Sequence, residues 1–131
     1  QTTPMKNLTL TICLTLAVLL GGLGCSGGGD YEKGVAAYNR DDFATALREW
    51  TPLAEQGDAD AQYNLGVMYR KGHGVPQDKV YAHIWYNIAA TSGNKKAIKN
   101  RDILAEEMTP AQIEKAQDLA RECIRKKYKG C

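Results

Sequence analysis

Apolar residues recur along this chain at three- and four-residue steps, in short stretches broken by acidic residues and glycines. Gly34, Ala37 and Tyr38 fall on one side of a helix over 31–39. Asp41 and Asp42 interrupt and cap. Phe43, Ala46, Leu47, Trp50, Leu53 and Ala54 then mark a second helix to Gln56, with Pro52 late enough to bend it or shift its hydrogen bonding. Gly57 and Asp58 give a stop and a new start. Ala61, Leu65, Met68 and Tyr69 form a third stripe, ending at the loop signal Gly72-His73-Gly74-Val75-Pro76. Asp78 caps a fourth helix with Ala82, Trp85, Tyr86, Ala89 and Ala90 inward. Ala97, Ile98, Ile103 and Leu104 mark a fifth. Thr109-Pro110 opens a sixth in cap-then-proline order, with Ile113, Ala116, Leu119, Ala120 and Cys123 inward.

The pattern repeats. Ala44, Ala46, Ala54, Gly57 and Ala61 are followed 36 positions later by Val80, Ala82, Ala90, Gly93 and Ala97. A period in the mid-thirties, with small residues at fixed places, is the mark of stacked helical hairpins. The expected fold is all-α, a right-handed α-solenoid of about three helix-turn-helix hairpins over 31–57, 58–93 and 94–131. Gly66 and Ala61 permit close approach within a pair, and Ala82 and Ala90 admit the neighbouring hairpin. Trp50, Tyr69, Trp85 and Tyr86 fill the spaces between layers.

The residues before this domain read differently. Gln1–Pro4 precede Met5 and read as upstream residues. Lys6 makes a positive start, and Leu8–Leu20 is a 13-residue apolar run. A membrane span needs about 20 residues, so 1–24 reads as an export signal peptide rather than a retained helix. Gly22-Leu23-Gly24-Cys25 resembles a bacterial lipobox, in which the cysteine is lipidated and becomes the mature N-terminus, although Gly22 stands where Leu is usual. Gly22 and Gly24 equally satisfy ordinary signal peptidase. Two addresses therefore stay open: an outer-membrane lipoprotein anchored at Cys25 and facing the periplasm, with Ser26 favouring that sorting, or a soluble periplasmic or secreted protein. Residues 25–30, with Gly27-Gly28-Gly29, serve as a flexible tether.

Charge and cysteines narrow the picture. The formal net charge of +2 falls to +1 without Lys6, far from the basic excess of a nucleic-acid protein. Lys115, Lys126, Lys127 and Lys129 read as a solvated helix end, where cations are favoured. Cys13 leaves with the signal, and Cys25 is the lipid site if the lipobox is used. Cys123 and Cys131 remain, and an oxidising compartment makes them a disulfide. Eight helical steps would part their Cα atoms by roughly 12 Å against the about 5.5 Å a disulfide needs. The last helix must therefore end near Lys127 or Tyr128, with Gly130 turning the chain back.

The run Ala59–Asp78, with Leu65-Gly66, Tyr69 and Gly72-His73-Gly74-Val75-Pro76, then Trp85-Tyr86 and Ala89-Ala90 before Gly93, resembles the Sel1-like repeat, a relative of the tetratricopeptide repeat. Residues 31–57 resemble the shorter tetratricopeptide-style unit that often opens such bacterial proteins, and 94–131 the tail that often closes them. Asp41, where Gly is usual, and Val80, where Ala is commoner, depart from the pattern. The resemblance implies a protein-interaction module whose first helices line a concave groove. By the Leu65-Gly66…Tyr69 register the groove residues are Asp60, Tyr63, Val67, Arg70 and Lys71. By the Gly34…Phe43 register they are Tyr31, Val35, Tyr38 and Asn39. Tyrosines and Arg suit such a surface because they dominate binding hot spots. The implied partner is a protein or peptide, with no cofactor, metal, small-molecule substrate or nucleic acid expected, and with membrane contact only through Cys25.

Catalytic signals are absent from the sequence. No Ser, His and acid share a nucleophile motif, and no glycine-rich phosphate loop follows a strand. His73 reads as a variable loop position and His83 as a solvent-facing residue. Glu106 and Glu107, adjacent on a helix, do not face each other. The alternative is a secreted penicillin-binding or weakly β-lactamase-like relative, since Cys123 and Cys131 have the eight-residue offset of that group. Only one such pair occurs and no acyl-accepting motif accompanies it, so the expectation is a non-enzyme.

Overall fold

A computed structural model describes residues 28–131 and shows an all-α helical repeat solenoid. The export signal, Cys25 and the first half of the expected tether (25–27) lie outside the described residues. Among the described residues there are six helices: α1 Tyr31–Asn39, α2 Phe43–Glu55, α3 Ala59–Lys71, α4 Lys79–Thr91, α5 Lys95–Ala105 and α6 Pro110–Arg125. Each start is fixed by a side chain that accepts the third helical N–H, supplied in turn by Asp30, Asp42, Asp58, Asp78, Asn94 and Thr109. At Thr109 the capping is reciprocal, because Gln112 Oε1 accepts the Thr109 N–H at 2.9 Å. Asp30 therefore belongs to the folded domain and not to the tether, and its N–H also reaches Glu49 at 3.1 Å.

The 36-residue offset is visible atom for atom at the turns. Gly57 and Gly93 adopt φ of +94° and +100°, a region closed to most side chains. Behind them Asp58 N–H bonds Leu53 O at 3.0 Å, and 36 residues on Asn94 N–H bonds Ala89 O at 2.9 Å. Asp41, where the resemblance expected Gly, stands at φ +62°, which Asp tolerates better than most residues. Gln62 is fully buried and donates to Ala54 O at 3.0 Å, tying the end of α2 to α3.

Packing follows a simple rule. α1 and α3 both lie against α2, and α3, α5 and α6 all lie against α4. Close approach within a pair is made possible by glycine. A Cβ on Gly34 would fall 2.7 Å from Trp50 Cδ1, and one on Gly66 2.5 Å from Tyr86 Cδ1. With α4 enclosed by three helices, Ala82, His83, Ile84, Trp85, Tyr86, Ile88 and Ala89 are all buried. This corrects the solvent-facing placement of His83, which is 2 % exposed. Conversely, Ile98, Ile103 and Leu119, expected inward, are exposed. The final pair is splayed, with α6 docked chiefly on α4 rather than on α5, and those side chains stay 36–42 % exposed.

The chain end behaves as the disulfide geometry requires. α6 stops at Arg125, and Lys127, Tyr128 and Gly130, all with positive φ, turn the chain back. Cys123 and Cys131 are bonded with Cα atoms 5.6 Å apart. Closing so short a loop contributes about 2.6 kcal/mol in the chain-entropy account.

Candidate partner-binding cleft

Helices α1, α3 and α5 are the first members of their pairs. Since each leans on a second helix and not on the next first helix, a gap opens between successive first helices. Side chains spaced three and four apart on α3 line it: Tyr63, Val67, Arg70 and Lys71 on one face, while Ala61, Leu65 and Met68 occupy the opposite, buried face. Between α1 and α3 the hollow is about 270 Å³, walled by Tyr31, Val35, Tyr38 and Asn39 and floored by Trp50 of α2. Between α3 and α5 it is about 570 Å³, bounded by Asn100 and floored by Tyr86 of α4. Tyr63, Val67 and Lys71 line both. The two hollows make one cleft.

Polar bridges cross each gap in the same way. Asn64 Nδ2 donates to the Tyr31 hydroxyl at 3.3 Å, and 36 residues on Asn100 Nδ2 donates to the Tyr63 hydroxyl at 3.4 Å. Arg70 holds the outer rim, donating to Asn100 Oδ1 at 3.4 Å and pairing with Glu107 at 3.3 Å. Lys79 meets the same carboxylate at 3.2 Å. The Lys79 ammonium first, then Arg70, holds the Glu107 carboxyl below the usual range. Burial pushes the Tyr86 phenol up to about 12, so the floor stays neutral at any physiological pH.

His73 is not a spare loop position. Its ring stacks on Phe43 at 4.2 Å, and its Nδ1 lies 3.0 Å from the Tyr38 hydroxyl. The loop after α3 is thus clamped onto the first pair, and His73 joins the wall of the larger hollow. Tyr38 also meets Phe43 edge-on at 5.3 Å and Trp50 at 5.7 Å, which makes it part core and part wall.

Of the nine groove residues named from sequence, the fold gathers eight: Tyr31, Val35, Tyr38, Asn39, Tyr63, Val67, Arg70 and Lys71. Asp60 lies apart, accepting from Asn94 Nδ2 at 2.7 Å and so bracing the start of α5. Sequence reasoning passed over Asn64, His73, Gln77, Asn100 and the floor residues as site members. For the asparagines a signal existed, since Asn64 and Asn100 stand one repeat apart. A separate hollow of about 160 Å³ between α4 and α6, lined by Tyr81, Ile84, Leu119 and the disulfide, is too small to rival the cleft.

Residues 59–94 match the Sel1 repeat. The chain carries a Sel1 repeat. The matched segment is α3, its clamped loop and α4, and it closes on the Asn94 cap that begins the next pair. No curated protein is similar enough to the chain to be matched. Sel1 repeats generally mediate protein–protein interaction, and proteins built from them are typically non-catalytic. The cleft of this chain runs along the first helix of its Sel1 repeat.

Proposed function

We propose that this protein is a non-catalytic interaction module of the bacterial cell envelope, exported and anchored through Cys25. It holds an extended segment of a partner protein in the cleft between its first helices. The observation that carries this reading is the duplication of the cleft. Each hollow has an aromatic floor, Trp50 or Tyr86, beneath a Tyr–Asn bridge, Tyr31–Asn64 or Tyr63–Asn100. The buried floors hold the part-exposed wall residues Tyr31, Val35, Tyr63 and Val67 in place, so little side-chain ordering is spent on binding, which is where affinity is otherwise lost. Export rests on the sequence of residues 1–25.

Crosslinking in the native envelope, read by mass spectrometry, tests the reading. The wild-type chain is compared with a Tyr63→Ala, Lys71→Ala double variant, whose changes lie on the cleft wall. Loss of a wild-type protein partner from the variant is expected. An unchanged set of partners would overturn it.

A further inference from the structure

The chemistry of the cleft wall identifies the class of segment it holds, an inference that rests on the cleft reading above. None of the side chains lining either hollow is a carboxylate, and the charged ones are Arg70 and Lys71. Glu107 approaches Arg70 but is shared with Lys79, so that cluster of two cations and one anion stays net positive. The Asp60 carboxylate is bonded to Asn94. Lys71 is exposed and forms no ion pair among the described residues.

Hydrogen-bond direction adds to this. Arg70 can only donate, so its bond to Asn100 fixes Oδ1 as the acceptor and leaves Nδ2 to face Tyr63. Nδ2 can only donate as well, so the Tyr63 oxygen accepts and its proton is left free for another acceptor. The Tyr31–Asn64 pair behaves alike. If Nδ2 donates, the Tyr31 proton is free; if the amide is reversed, the NH2 group is free. The wall therefore presents donors and positive charge above an aromatic floor.

We propose that the cleft binds an acidic extended peptide segment, whose Asp or Glu side chains meet the Tyr63 hydroxyl and the Lys71 ammonium while apolar neighbours lie on Val35 and Val67. A basic segment would face uncompensated like charge, which disfavours wrong partners strongly.

The test selects from random heptapeptides displayed at the N-terminus of a carrier, so that no free peptide carboxyl terminus is offered. Immobilised wild-type protein and the Lys71→Glu and Tyr63→Phe variants are used, each checked for an unchanged helical circular dichroism spectrum. On the wild type, Asp and Glu are expected to dominate the selected peptides over Lys and Arg. A selected acidic peptide should bind Lys71→Glu about tenfold more weakly, and Tyr63→Phe about tenfold more weakly, as loss of one bond to a charged acceptor implies. Selected peptides without acid enrichment would overturn the acidic assignment and leave the cleft reading standing. So would acidic peptides that bind Lys71→Glu unchanged, since they would sit elsewhere. Enrichment that appears only with a library ending in free carboxyl termini would replace the side-chain carboxylate by a terminal one. No selection above a blank surface from either library would overturn the cleft reading itself.

Discussion

Replacing Gly66 by Ala sets two effects of opposite sign against each other. At an exposed helical position the change stabilises by about 1 kcal/mol, because Gly is a poor helix former. Here the new Cβ would fall 2.5 Å from Tyr86 Cδ1 and 2.6 Å from Cε1, about an ångström inside normal carbon contact. The Tyr86 ring is 1 % exposed and cannot yield without moving α4, which also carries α5 and α6. Overpacking of this kind costs typically 1–3 kcal/mol, and an immovable ring places it in the upper part of that range. The steric term wins, leaving a net loss of about 1–2 kcal/mol, or about 5–10 °C in Tm for a domain of this size. Thermal denaturation followed by circular dichroism measures it. Tyr86→Leu should relieve the clash, so the double variant should lose less than the sum of the single losses. A rise in Tm for Gly66→Ala alone would refute the claim that α3 and α4 touch through this glycine.

Three further outcomes follow from the packing. Burial, aided by the Arg101 charge and only partly opposed by Asp102, depresses the His83 pKa below its ordinary 6.5. The unfolded chain then takes up the proton more readily, so stability should fall as pH drops from about 7 towards 5. His83→Leu should flatten that slope, since the carboxyls held low (Asp42, Glu49, Glu107 and Glu122) lose their stabilisation only at more acid pH; an unchanged slope in urea titrations would contradict the burial argument. Asn94→Ala should cost about 1–2 kcal/mol and more than Asp58→Ala at the equivalent place, because Asn94 both caps α5 and bonds Asp60; equal losses by chemical denaturation would deny the Asp60 brace a role. Cys123→Ser with Cys131→Ser should lower stability by about 2.6 kcal/mol, and a denaturation midpoint insensitive to reductant in the wild type would show that the bridge adds nothing.

The sequence carried most of the framework because its signals were local. Asp42, Asp58, Asp78 and Thr109 start helices, and Gly57, Gly72 and Gly93 stop them, through chemistry that acts within a few residues. The groove residues were readable for a similar reason, since positions 63, 67, 70 and 71 share a face wherever α3 is a helix. What escaped depends on which helices meet. His83 could not be placed without knowing which helices close around α4, and the charges that reach it, Arg101 and Asp102, belong to α5. The docking of α6 on α4 rather than on α5 leaves Ile98, Ile103 and Leu119 part-exposed despite their helical spacing. His73 lies in a loop whose glycines suggest freedom, and only contact with Phe43 and Tyr38 from another pair fixes it. Asp60 has the right spacing for the cleft, yet a partner 34 residues away draws it aside.

The central claim is that the cleft along α3 is the surface a partner occupies. Site-specific photocrosslinking tests it most directly, with a photoreactive aromatic amino acid placed at Val67 inside the cleft, at Val35 on its opposite wall, and at exposed Lys99 and Lys115 outside it. Illumination of cells producing each variant should give a discrete protein adduct from positions 67 and 35 and none from 99 and 115. Adducts from 99 or 115 with none from the cleft would contradict the account.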